Sequence, residues 1–326
     1  MARIRVGVLR GGIGHEYDVS LLTGGSVLQH LPKDRYEPVD MLITKDGRWH
    51  VAGLPIAPGS TPMYVDVIFN ALHGEYGEDG QVQKVLDAIG LPYTGSGAYA
   101  SSLSMNKPEA KELFRQHNLK VPHGLTLEYD GKEMQEYAAT VFSKISPPWI
   151  VKPADKGSSV GIFVVRHYPD LAKALERCFA VSDRVLVEEL LKGKEATCGV
   201  IEGFRGQSRY SLPPVEINRP VESPFWSYED KYKTDTVRQT CPSCLADDQK
   251  KELEDLSIVV HDLLGLRHYS RTDFILSPRG IYVLETNSLP GLTPQSPLPK
   301  AFEAVGCTYE EFLDHLLQLA LRKDLL

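Results

Sequence analysis

Two apolar runs, Asp273-Phe274-Ile275-Leu276 and Ile281-Tyr282-Val283-Leu284, are separated only by Ser277-Pro278-Arg279-Gly280. That spacing leaves this part of the chain little choice but a β-hairpin. With a Pro278-Arg279-Gly280 loop and Gly280 in the left-handed conformation, Ser277 opposes Ile281. Asp273 then lies opposite Glu285, and Arg271 opposite Asn287. Side chains two apart on a strand share a face, so all four point the same way. Two carboxylates and an amide oxygen gathered like this suit Mg²⁺ bridging nucleotide phosphates. A surface hairpin closed by a salt bridge would use the same residues.

Around this hairpin, 326 residues with 42% hydrophobic and 24% charged side chains describe an ordinary globular chain of two or three domains. A net charge of -7 without a basic stripe argues against a nucleic-acid ligand. No apolar run approaches the roughly 18 residues that span a bilayer, so no membrane partner is expected. Met1 to Leu9 reads as a buried first strand instead of a secretory signal. The five cysteines, an odd and scattered set, agree with a cytoplasmic location. Cys241-Pro242-Ser243-Cys244 lacks a second pair or two suitably spaced histidines, and reads as a loop with incidental thiols.

The first hundred residues read as a doubly wound α/β unit, with strands near Ile4–Leu9 and Tyr64–Phe69 and helices near Val19–Leu31 and Gln81–Ile89. Pro92 to Gly97 reads as a short strand into a turn. This alternation predicts a mainly parallel sheet with ligands at the strand carboxyl ends. Asn106-Lys107-Pro108 opens a new amphipathic helix, which places boundaries near 104 and 185: an N-terminal domain of 1–104, a central lobe of 105–185 and a C-terminal lobe of 186–326. Strands are expected at Trp149–Lys152, Gly161–Val165 and Val185–Leu190, and helices at Asp170–Phe179, Asp247–Leu264 and Tyr309–Leu321. A polar stretch from about Arg219 to Pro242 carries Trp226, Tyr228 and Tyr232 and reads as a lid that orders over a ligand.

Three further segments could carry chemistry. After Trp149-Ile150-Val151-Lys152-Pro153 comes Gly157-Ser158-Ser159-Val160-Gly161, where small residues let backbone N–H groups and hydroxyls approach phosphate oxygens. It is no Walker A loop, and an ordinary Gly/Ser hairpin would read the same. His73-Gly74-Glu75-Tyr76-Gly77-Glu78-Asp79-Gly80 suggests a ligand-contacting turn, or a satisfied loop histidine. Gly11-Gly12-Ile13-Gly14 opens a helix where an anion could sit, but Tyr17 breaks the dinucleotide-binding pattern. No nicotinamide cofactor is expected.

Taken in order, the motifs resemble those of the D-alanine–D-alanine ligases of the ATP-grasp superfamily. They are Gly11-Gly12 with Glu16 and Val19-Ser20, His73-Gly74 with Gly77-Glu78-Asp79-Gly80, Tyr93-Thr94-Gly95-Ser96, Asn106-Lys107, Val151-Lys152-Pro153 with Gly157 to Gly161, Tyr228 with Lys231-Tyr232, Arg271 with Asp273, and Glu285 with Asn287 and Pro290-Gly291. The resemblance implies an α/β and α+β architecture, a doubly wound N-terminal domain followed by a two-lobed ATP-grasp fold. It implies ATP-dependent joining of two D-alanines through an acyl phosphate for peptidoglycan precursor synthesis. A different D-amino or D-hydroxy acid acceptor is the alternative, and a non-catalytic nucleotide sensor would require a lost ligand that this sequence retains.

By the same resemblance Asp273, Glu285 and Asn287 hold magnesium as two ions, with manganese as a substitute. Lys107 and Lys152 hold ATP phosphates, Ser159 and Lys231 add ATP contacts, and Glu188, Glu189, Leu191 and Glu195 surround the nucleoside. Glu16, linked to Ser158 and Tyr232, takes the first ammonium group, and His73 lies near that substrate. Arg271 and the Gly291 N–H stabilise the oxyanion, while Ser296 and Pro297 flank the second substrate. Tyr232 favours an amine acceptor, and a homodimer is implied. The chain departs from the family at Gly14 (commonly serine), Asn106 (commonly aspartate) and Pro297 (commonly leucine, with an N–H that proline lacks).

Overall fold

The computed structural model describes residues 2–157, 161–218 and 238–322. Three sheets organise them. The first is built around β1 (Ile4–Gly11), with β2 (Tyr36–Ile43) and β5 (Val67–Asn70) parallel on either side. Central position explains why Val6, Val8 and Leu9 are all buried, within the unbroken apolar stretch Val6-Gly7-Val8-Leu9 between Arg5 and Arg10. An antiparallel extension, β3 (Trp49–Val51) and β4 (Leu54–Ile56), completes the order β4-β3-β2-β1-β5. The sequence reading passed over β2 to β4, whose short alternating segments carry little apolar signal. Pro92 to Gly97 contributes only a parallel bridge from Tyr93 to Ile68. Helices α1 (Tyr17–His30) and α2 (Gln81–Ala88) follow the strands β1 and β5.

Helices α3 (Ala98–Met105) and α4 (Lys107–Gln116) lead to a four-stranded antiparallel sheet of order β6-β9-β7-β8: β6 (Gly124–Glu128), β7 (Trp149–Pro153), β8 (Phe163–Val165) and β9 (Arg184–Glu189). Helices α5 (Met134–Lys144) and α6 (Leu171–Phe179) cover one face; Leu171, Ala174, Leu175 and Cys178, at helical spacing, bury against Trp149, Val151 and Val187. Since β9 pairs with both β6 and β7, this sheet runs past residue 185.

The third sheet has the order β13-β12-β10-β14-β15, with β11 (Arg209–Ser211) alongside β10. Its strands are β10 (Lys194–Glu202), β12 (Val215–Asn218), β13 (Arg238–Thr240), β14 (Tyr269–Ser277) and β15 (Gly280–Asn287). Arg238–Thr240 was expected to be loop; its pairing with β12 makes it an edge strand. Helix α7 (Asp247–Leu263) packs on this sheet together with Ala100, Ala110 and Phe114 of α3 and α4. Helices α8 (Pro297–Ala304) and α9 (Tyr309–Leu321) turn back to the first sheet, so that Phe302, Phe312 and Leu316 share one core with Val6, Val67 and Phe69. Thr308 and Glu311 cap α9 reciprocally at 3.2 and 2.8 Å. Among the described residues, no helix is long and apolar enough to cross a membrane.

The β14–β15 hairpin carries the expected pairs Arg271↔Asn287 and Asp273↔Glu285, but not by the expected turn. Ser277 pairs with Gly280, leaving a two-residue loop, and Phe274 pairs with Val283. An irregularity between Asp273 and Phe274 restores the offset, with Leu284 the additional residue on β15. Gly280, at φ +116°, supplies the backbone conformation that the tight turn needs.

Candidate active site

A cleft with a cavity volume of about 60 Å³ lies between the first and third sheets and is walled by residues from nearly every expected motif. Glu16, His73, Lys107, Gly157, Arg271, Glu285, Asn287, Gly291, Ser296 and Pro297 all line it. At its floor, Arg271 donates from Nε and a terminal nitrogen to the two oxygens of Asp273, at 3.0 and 3.1 Å. The amide nitrogen of Asn287 reaches Asp273 Oδ2 at 3.1 Å. Thr197, from β10, donates to Oδ1 at 2.5 Å. Lys107 stands 3.6 Å from Glu285 and donates to the Lys156 carbonyl at 2.5 Å.

Two carboxylates directly opposite on paired strands repel each other unless cations stand by. Here Arg271 attends Asp273 and Lys107 attends Glu285. Among the described residues no group of three or more His, Cys, Asp or Glu side chains is arranged to hold a metal. The available donors are therefore two carboxylates and an amide, all oxygen ligands, a set that fits a hard divalent cation.

Beside this floor is a buried charge cluster. Lys152 and Lys111 both bind Glu188, Lys152 at 2.8 Å from Oε2 and Lys111 against Oε1. Burial alone would raise the Glu188 carboxyl, but the two ammonium groups hold it below its ordinary value. Burial lowers Lys107, and it lowers Lys111 to about 7. At Lys152 the attraction of Glu188 and Glu285 outweighs burial and raises it.

On the opposite wall, His73 makes hydrogen bonds through Nδ1 with the Leu289 carbonyl at 3.1 Å and through Nε2 with Thr23 at 2.8 Å. The carbonyl partner makes Nδ1 a donor. Glu78 accepts from the Gly74 N–H at 3.0 Å and lies 3.5 Å from His73. Glu16 lies against Gly74 and Gly157, either of which would bring an added Cβ within 3.0 Å of its carboxylate. Ser296 pairs with Thr293 at 2.9 Å and precedes α8, of which Pro297 is the first residue, without a side-chain hydrogen bond to the helix.

All four expected nucleoside residues stand outside this cleft's wall, Glu188 in the buried cluster beside it. Glu189, on the face of β9 opposite to Glu188, is held by Arg279 at 2.6 Å and by the His123 N–H at 3.1 Å. Leu191 follows β9, and Glu195 pairs with Ile217 and Ile275 within the third sheet. Ser158, Ser159, Lys231 and Tyr232 lie outside the described residues, as does most of the expected lid. Sequence reasoning missed Thr197, Lys111 and Gln239. Lys111 lies one helical turn after Lys107 on the same amphipathic helix, where a lysine reads as solvent-facing, so no sequence signal marks it.

The two antiparallel sheets of residues 124–189 and 194–287, with buried lysines beside a carboxylate-bearing hairpin, place the chain in the ATP-grasp class of α/β proteins. The family model described as D-ala D-ala ligase C-terminus matches residues 113–318, and that described as D-ala D-ala ligase N-terminus matches residues 5–59 and 54–96. The chain belongs to the D-alanine–D-alanine ligase family. It is 36% identical over 316 residues to the D-alanine–D-alanine ligase of Geobacter sulfurreducens, covering 96% of this chain and 93% of that one. Among solved structures, a D-Ala:D-Ser ligase from Enterococcus faecalis superposes with a TM-score of 0.84 at 26% identity, covering 98% of this chain and all of the other. The D-alanine–D-alanine ligase of Bacillus anthracis complexed with ATP has a TM-score of 0.79 at 28% identity, each chain covered to 98%.

Proposed function

We propose that this protein uses ATP to join two D-alanines into D-alanyl-D-alanine, releasing ADP and phosphate, as a cytoplasmic step in making peptidoglycan precursors. The observation that carries the reading is the convergence, on one cleft, of the Arg271–Asp273–Glu285–Asn287 hairpin, Lys107 and the Glu16/His73 wall, with the Lys111–Glu188–Lys152 cluster buried beside it. A carboxylate oxygen of the first D-alanine attacks the γ-phosphorus, and the bond from phosphorus to the β-bridging oxygen breaks as ADP leaves. The amine of the second D-alanine then attacks the acyl carbon, loses a proton, and expels phosphate from a tetrahedral intermediate.

Each wall has a role in this scheme. Glu16 binds the first ammonium group, and His73, held by Thr23 and Leu289, borders that substrate. Lys107 and Lys152 face the phosphates, where buried cations act in a low dielectric. Arg271 and the Gly291 N–H stabilise the developing oxyanion, and Ser296 with the start of α8 receives the second carboxylate. Asp273, Glu285 and the Asn287 oxygen would hold Mg²⁺, or Mn²⁺ in its place, which neutralises phosphate charge when bound. Ser158, Ser159, Lys231 and Tyr232 are assigned by resemblance, as is a homodimer.

Incubation with ATP, Mg²⁺ and a mixture of D-alanine, D-serine and D-lactate, followed by mass spectrometry, tests the reading. A D-alanyl-D-alanine product with stoichiometric ADP is expected. Exclusive formation of another D-alanyl product would move the assignment to the other acceptor, and no D-amino-acid-dependent ADP release would overturn it.

A further inference from the structure

Helix α4 presents Lys107, Ala110, Lys111 and Phe114 to the interior, the spacing of one helical face. Lys107 reaches the cleft, but Lys111 does not line it and is 1% exposed. A lysine buried this deeply is rare without a partner and a purpose. Its partner is Glu188 Oε1, while Lys152 occupies Oε2 of the same carboxylate at 2.8 Å. Strand register explains the second contact: Ile150 pairs with Glu188, so Lys152 is a diagonal neighbour on the same face.

We infer that Lys111 is a positioning residue of the phosphate site: by neutralising Glu188 it leaves the charge of Lys152 available to a nucleotide polyphosphate. This rests on the reading of Lys107 and Lys152 as phosphate-facing lysines. With Lys111 protonated, Lys107, Lys111 and Lys152 stand against Glu188 and Glu285, so these ion-paired groups hold one formal positive charge in excess; Asp155, which also acts on Lys107, is exposed and outside the pairs. Without Lys111 the remaining four groups balance. Glu188 then draws Lys152 into a closed ion pair, which an incoming phosphate must break. Lys111 touches neither reactant and acts through the other two side chains. Glu188, with both oxygens taken by lysines, serves here as a bridge between them.

The test uses full-length Lys111→Met, Glu188→Gln and the Lys111→Met/Glu188→Gln double variant. KM for ATP and for D-alanine are measured, with direct binding of a non-hydrolysable ATP analogue and thermal unfolding. Lys111→Met is expected to raise the ATP KM and the analogue Kd at least tenfold, roughly the effect of one close, partly screened charge. Its D-alanine KM should stay within about twofold. The double variant restores one positive charge in excess and is expected to recover most of the affinity. A merely structural lysine predicts the reverse, a double variant no better than the single one. An unchanged ATP KM in folded Lys111→Met, or no recovery in the double variant, overturns the inference. If Lys111→Met fails to fold, the double variant decides: near-parental analogue binding supports the charge balance, and a tenfold loss overturns it. If the parent shows no D-alanine-dependent turnover, the proposed function fails, while analogue binding still reads the inference.

Discussion

The Thr197 hydroxyl donates to Asp273 Oδ1 at 2.5 Å, and the two residues are register partners in the β10–β14 ladder. One strand further across, Asp273 is paired with Glu285. Thr197, Asp273 and Glu285 therefore form a row over three adjacent strands, with the threonine fixing the central carboxylate. Thr197→Val keeps the β-branched shape and removes the donor. The Mg²⁺ concentration for half-maximal ADP release should rise about 10- to 100-fold, the usual cost of losing a group that orients a metal ligand. A Mg²⁺ titration at saturating ATP and D-alanine checks it; an unchanged requirement would mean that Asp273 needs no orienting or binds no metal.

Gly74 and Glu16 are in close contact. Gly74 has φ +65°, and an added Cβ would lie 2.2 Å from Glu16 Oε2. Gly74→Ala must displace the carboxylate, in addition to roughly 1 kcal/mol of left-handed backbone strain. With Glu16 as the ammonium ligand, the KM for D-alanine rises about tenfold or more while that for ATP changes little. Initial rates with each substrate varied separately distinguish this from a general loss of fold, which would lower kcat and leave both KM values near the parent's.

The hairpin shows how far the sequence could be read, and where reading stopped. Turn residues and apolar runs predicted which strands pair, and Asp273↔Glu285 was reached with the wrong turn. A three-residue loop and a two-residue loop with a bulge at Leu284 produce the same offset, and alternation alone does not distinguish them. Strands β2 to β4 were overlooked because they lie toward one edge, where one face is exposed and apolar runs are broken. Lys111 was invisible for another reason. A lysine on an amphipathic helix reads as solvent-facing, and only the three-dimensional meeting with Glu188 shows otherwise. Pro297 was read as a defect, a missing N–H. The structure places it first in α8, the position where a helix least needs that donor.

Acid should weaken the junction between the first and third sheets. His268 is buried, with Nδ1 accepting from the Gly95 N–H at 3.0 Å and its backbone N–H donating to Glu202 at 2.7 Å. Burial, aided by Arg267 and by His261 and His315, lowers the ring to about 4, against the pull of Glu202. Between pH 6.5 and 4 the unfolded chain takes up a proton that the folded one refuses. Stability therefore falls as pH falls through that window, by about 2 kcal/mol from pH 7 to pH 5. Glu202 adds to the loss at lower pH. Burial would raise its carboxyl, but His261, the His268 N–H and Arg209 hold it at about 2, so its stabilisation fades as pH drops below the unfolded value. Asparagine tolerates the positive φ of +64° and does not titrate. Denaturant unfolding of His268→Asn should show most of the pH 7 to pH 5 difference gone; an equal drop in parent and variant would locate the titration elsewhere.

Pro297 bears on acceptor choice. It lies at the cleft wall beside Ser296, whose hydroxyl is already paired with Thr293 and sits 3.0 Å from where a Gly291 Cβ would be. Proline suits the helix but offers no N–H to a carboxylate arriving at its N-terminus. Pro297→Leu supplies that donor, and one added hydrogen bond to a charged group lowers the KM for the second D-alanine by about three- to tenfold. The KM for ATP should not move, because the lysine cluster lies on other elements. Rates measured with D-alanine, D-serine and D-lactate as competing acceptors test the point. Equal KM values in parent and variant for all three would show that the acceptor carboxylate is held away from α8.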